Sequence, residues 1–150
     1  MWGSVISVAA AFAWGATCPN LAGHYYGERR SPLTQTLDIV IQQTGCTSVD
    51  LAESTNGIVT VRQKIILDGE VRVTHDVKRG QIIGKFYRGA TYTPTTLDIS
   101  MIRTFNTLQV VSQISRYFKD ALGNLVVESN RGGMSDPTLV HDRWVLEPKP

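Results

Sequence analysis

Beyond residue 20, apolar and polar residues alternate with a period of two along most of the chain, and turn-forming residues break the alternation at short intervals. That period puts successive side chains on opposite faces of an extended strand. Segments 23–27, 36–44, 47–52, 58–67 and 70–77 carry it, followed by 81–88, 95–105, 108–118, 125–130 and 138–146. Between them fall Thr44-Gly45, Asn56-Gly57, Asp68-Gly69, Arg79-Gly80, Asn106-Thr107 and Gly123-Asn124, all turn chemistry. No stretch holds an apolar stripe at helical spacing. The pattern predicts one all-β domain, an antiparallel up-and-down meander of about nine or ten strands. Closing such a meander into a small barrel removes its exposed edges.

The first charged side chain is Glu28, and residues 5–14 form an apolar run broken only by Ser7. Such a run is shorter than the roughly 20 residues that cross a bilayer, and it fits the core of a signal peptide. Small residues at Ala13, Gly15 and Ala16 suit a signal peptidase, so residues 1–17 are expected to be a signal peptide and 18–150 the barrel domain. The expected location is secreted or periplasmic. In that setting the two cysteines, Cys18 and Cys46, read as one disulfide, worth about 3.6 kcal/mol by loop-closure entropy.

Two hairpin registers follow from the alternation. A three-residue loop, Leu67-Asp68-Gly69, pairs Val71 with Ile65, Val73 with Gln63, His75 with Val61 and Val77 with Val59, with Gly69 left-handed. A two-residue Asn106-Thr107 turn pairs Phe105 with Leu108, Arg103 with Val110, Met101 with Ser112, Ile99 with Ile114 and Leu97 with Arg116. This second set is expected to face inward.

A net charge of +2 excludes a dedicated electrostatic nucleic-acid binder. There is no G-x-S-x-G, H-E-x-x-H or C-x-x-C, and no glycine-rich phosphate loop opens a helix. His24, His75 and His141 lie on different strands, so no metal site is expected, and no cofactor. His75-Asp76 and His141-Asp142 are strand neighbours that point to opposite faces, so neither is a preset acid–base dyad.

The segment Asn20-Leu21-Ala22-Gly23-His24-Tyr25-Tyr26 and the late Arg143-Trp144 resemble the opening and the last strand of lipocalin-type (calycin) barrels. The resemblance assigns structural roles to Gly23, to Tyr25 (where the family has tryptophan) and to Arg143, which would pack over the first-strand aromatic. It implies a non-catalytic container for a small hydrophobic or amphipathic ligand. The expected ligand-binding residues are His75, Phe86, Ile99, Met101, Val110 and Ser112, with Val71, Val73, Leu97 and Ile114 completing the lining. Two other classes remain open. One is an envelope or extracellular protein-interaction module, such as an enzyme inhibitor, using loops 89–96 and 119–124 and an aromatic patch around Tyr92 or Tyr117. The other is a small isomerase or hydrolase built on His75.

Overall fold

Ten strands form where the alternation is strongest, and each runs antiparallel to its neighbours. In the computed structural model, which describes residues 17–30, 33–105, 110–133 and 140–150, these are β1 (Gly23–Arg29), β2 (Gln35–Thr44), β3 (Ser48–Thr55), β4 (Ile58–Ile66) and β5 (Arg72–Lys78). They continue as β6 (Gln81–Tyr92), β7 (Thr96–Phe105), β8 (Val110–Lys119), β9 (Leu125–Gly133) and β10 (Val140–Pro148). All ten coincide with the predicted segments, and no helix occurs among the described residues. The expected signal peptide, the Asn106-Thr107 turn and the predicted strand starts at Leu108 and Thr138 lie outside those residues.

The strand order is β4-β3-β2-β1-β10-β9-β8-β7-β6-β5. Sequence neighbours therefore pair throughout except at β4 and β5, which are the two edges, and β1 joins β10. The sheet does not close by hydrogen bonding, in contrast to the expected barrel. It curls nonetheless. Ile39, Ile41, Val49, Leu51, Ile65 and Leu67 from one half share a buried cluster with Ala90, Leu97, Ile99, Tyr117, Leu125 and Leu146 from the other. Each such fully buried side chain contributes about 1.5–3 kcal/mol. Leu21 caps the cluster from the segment before β1.

The predicted β4–β5 ladder is absent, for a reason visible in the side chains. Gly69 does turn left-handed, with φ of 76°, and the Asp68 carboxylate accepts from the Glu70 amide and from both Arg72 amino groups. Yet β5 turns its polar face inward, where Asp76 receives Arg103 at 2.8 Å. Val71, Val73 and Val77 are therefore 63%, 45% and 62% exposed on the outside. The inward residues of β4 are Val61, Gln63 and Ile65, so the predicted pairing sets the inner face of one strand against the outer face of the other.

The β7–β8 register also differs, by one residue. Leu97 pairs with Tyr117, Ile99 with Ser115, Met101 with Gln113 and Arg103 with Val111. The slip inverts β8. Tyr117 enters the core, while Ser112, Ile114 and Arg116 face outward, Arg116 donating to Asp98 at 2.8 Å.

The start of β1 is fixed by Tyr25. Its ring folds back along the chain, and its hydroxyl donates to the carbonyls of Leu21 and Ala22 at 2.9 and 3.1 Å. A Cβ on Gly23 would lie 2.8 Å from that hydroxyl and 2.9 Å from the ring carbon that carries it. Gly23→Ala is expected to destabilise the protein by about 1–3 kcal/mol through overpacking, read as a lower urea midpoint with an unchanged slope.

Cys18 and Cys46 form the expected disulfide, with Cα atoms 5.6 Å apart across a separation of 28 residues. It ties the segment before β1 to the β2–β3 turn, where the Gln43 amide also donates to the carbonyls of Pro19 and Gly45. The paired Cys18→Ser, Cys46→Ser variant should lose about 2–4 kcal/mol in the same denaturation experiment.

Candidate functional site

The buried cluster fills only one end of the curled sheet. At the other, the inner faces of β3 and β4 stand apart from those of β6 to β9 and enclose a cavity of about 610 Å³. A second space of about 440 Å³ adjoins it and shares Glu53, Thr60, Gln113, Ser115, Tyr117 and Arg131 in its walls. The apolar lining is Val61, Phe86, Ile99, Met101, Phe105 and Val111. A cavity of this size falls within the roughly 300–1,000 Å³ usual for small-molecule sites.

Its floor is polar. Glu53 continues the inward face of β3 beyond Val49 and Leu51, and Tyr117 reaches it from β8 across the interior, donating its hydroxyl at 2.8 Å. Ser115 and Ser129 lie 3.0 Å apart beside them, and Gln113 donates to Ser115 at 3.1 Å. Burial pushes the Glu53 carboxyl above its ordinary value, and the Tyr117 hydrogen bond offsets part of that rise. Burial also drives the Tyr117 hydroxyl well above the ordinary phenol range, so it remains a donor at neutral pH.

Four arginines line the walls: Arg62, Arg88, Arg103 and Arg131. Arg103 is neutralised by Asp76 and has its guanidinium carbon 4.7 Å from the Phe86 ring centre and 4.4 Å from that of Phe105. Arg62, Arg88 and Arg131 have no ion pair among the described residues. The Arg88 Nε is buried and has no hydrogen-bond partner among the described residues. A buried N–H without a partner costs about 1–3 kcal/mol, so this donor is poised for an acceptor. The cavity therefore combines arginines from four strands with an apolar patch and with the polar side chains of Glu53, Gln63, Gln113 and Ser115.

Of the expected ligand-binding residues, Phe86, Ile99 and Met101 line the cavity together. His75 and Ser112 do not; both are exposed on the outer face, as are Val71, Val73 and Ile114. Leu97 belongs to the solid core. Val110 opens β8, and its side chain lies outside the described residues. Arg143 is on the face opposite Tyr25 and donates to Glu128 at 3.1 Å instead of covering the first-strand ring. The cation nearest that ring is Lys119, 5.9 Å from its centre, and a different pair, Arg29 over Trp144 at 3.7 Å, stacks between β1 and β10. Tyr117 is buried and Tyr92 packs on the core, so neither forms the exposed aromatic patch considered for an inhibitor.

The alternation carried an unused signal for Arg88, which stands two residues after Phe86 and so shares its face. Glu53 stood in the same relation to Leu51. The three histidines stay apart: His24 contacts Asp38 at 2.7 Å, His141 contacts Asn130 at 2.8 Å, and His75 faces outward. No cluster of metal-ligating groups occurs among the described residues, and no described helix is long and apolar enough to cross a membrane. No protein-family model, curated protein or solved structure matches the chain.

A carboxyl whose folded-state pKa is raised holds its proton more tightly when folded. Its stabilising contribution is full below the unfolded value and is lost as pH rises through the folded one. Urea midpoints of the wild type should therefore decline relative to those of Glu53→Gln as pH climbs above 4.5. Parallel curves for the two proteins would remove this role from Glu53.

Proposed function

We propose that this chain is an exported, non-catalytic binding protein that holds a small hydrophobic or amphipathic ligand between the two facing halves of its sheet. The observation that carries the reading is the cavity of about 610 Å³ with Phe86, Ile99 and Met101 on its walls. The partnerless Arg88 Nε, together with Arg62 and Arg131, favours an amphipathic ligand with an anionic head. A guanidinium meets a carboxylate through two parallel charge-assisted hydrogen bonds, which makes arginine the natural receptor for such a head. The apolar body would rest on Ile99, Met101 and the phenylalanines. Export is favoured by the disulfide, a bond that persists in oxidising compartments. In this reading the sheet is a lipocalin-like barrel with one open seam, and the Glu53–Tyr117 bridge separates its solid end from its hollow one.

Thermal shift and native mass spectrometry on the disulfide-bonded protein test the proposal. A long-chain carboxylate should raise the melting temperature more than the alcohol of equal length, and an apolar or amphipathic species should co-purify. Arg88→Leu should weaken carboxylate binding roughly ten- to a hundred-fold and leave the alcohol nearly unaffected, as expected for loss of a charged hydrogen bond. No shift with either ligand class, and nothing co-purifying, would overturn the container reading.

A further inference from the structure

The edge strand β5 is unusual in that both of its faces meet water. Every residue of it is exposed except the half-buried Asp76, and its backbone pairs only with β6. An unpaired edge is a template for another strand. Natural edges are commonly blunted by proline, bulges or charges; β5 has no proline, its bulge falls only near its end at Asp76 and Val77, and its guards are the charged residues Arg72, Asp76 and Lys78.

We propose that β5 pairs with β5 of a second copy of this chain, antiparallel, about a twofold axis through Thr74. The argument is charge complementarity along one strand. In that register Arg72 lies opposite Asp76 of the second copy, and Glu70, just before the strand, lies opposite Lys78. The twofold repeats both pairs, so four unlike pairs line one face. On the other face Val71 meets Val77 and Val73 meets His75, joining two exposed apolar stripes. The neighbouring registers fail. Centring on Val73 sets Glu70 against Asp76, and centring on His75 sets Arg72 against Lys78. Like charges directly opposite each other destabilise a sheet.

One of the two pairs is free of prior partners, whereas the Arg72–Asp76 pair must share its charges with Asp68 and Arg103 of the same chain. Glu70 and Lys78 have no ion pair among the described residues. Asp76 uses one carboxylate oxygen for Arg103, and Arg72 is held on the strand by Asp68 in its own chain. A twofold contact of this kind is isologous and closes on itself, so it yields a dimer and not a fibre. The valine face of this contact lies on the outside of the sheet, whereas Arg72, Thr74 and Asp76 lie on the same face as the cavity.

Sedimentation velocity on the disulfide-bonded protein over a concentration series provides the test, together with amide hydrogen exchange of residues 71–77. A monomer–dimer equilibrium is expected, with protection of 71–77 increasing with concentration. K78E should weaken the dimer about ten-fold, since two symmetry-related pairs change from unlike to like charge. The E70K/K78E double variant should restore it. A monomer at every concentration overturns the proposal, and concentration-independent protection of 71–77 would show that β4 of the same chain occupies the edge instead. A dimer indifferent to K78E overturns it equally, because it must use another surface.

Discussion

Across the seam between β4 and β5 the two halves of this sheet are held face to face by side chains, through apolar packing and the Tyr117–Glu53 hydrogen bond, since no β4–β5 ladder occurs among the described residues. Leu21, Tyr25, Ile39, Val49, Leu125 and Leu146 are almost completely removed from water, and together they outweigh the cost of leaving two edges unpaired, because an edge exposed to solvent still finds water for its N–H and C=O groups. The disulfide acts at this same end. It fixes the strap that carries Leu21, so the cap remains over the cluster. Curvature, and with it the cavity, depends on one end being solid.

The hollow end follows from where polar groups were placed. Interiors of small barrels can be filled completely by side chains. Here Glu53, Gln113 and Ser115 occupy positions that leucine or isoleucine would have sealed, and arginines occupy the walls above them. Polar groups so placed must find partners. Most do so within the chain, through Tyr117, Ser129 and Asp76. Arg88 Nε does not. A donor left partnerless beside an apolar wall is a liability in a purely structural core and an asset in a receptor, and this asymmetry favours the container over the filled scaffold.

The number, order and approximate bounds of the strands were readable because period-two alternation and glycine or asparagine turns are local signals. The inward face was readable wherever apolar residues do point inward, as at Ile99 and Met101. It failed at β5, where the valines point outward and Arg72, Thr74 and Asp76 inward, because the partner that makes this favourable, Arg103, lies on a strand not adjacent to it. It failed at β8 for a related reason. Ile114 looked like core and Tyr117 did not, and a one-residue difference in the turn exchanges them. Parity in a sheet is a tertiary property, set by ion pairs and turn lengths that no single strand records. Cys18 and Cys46 posed no such problem, since two cysteines admit one pairing.

The inversion of β5 links the two surfaces of the molecule. Had its valines faced inward, they would have packed against Val61 and Ile65 and drawn β4 and β5 into one ladder. The polar inward face instead brings Asp76 to Arg103, which balances the charge of that arginine and leaves it stacked on Phe86 and Phe105. The cavity wall then retains the half-buried Arg88, whose Nε is unpaired among the described residues. The same choice leaves the valines outside on a free edge. A single register decision thus sets both the Arg103–Asp76 pair on the inside and the exposed valines along the outer edge.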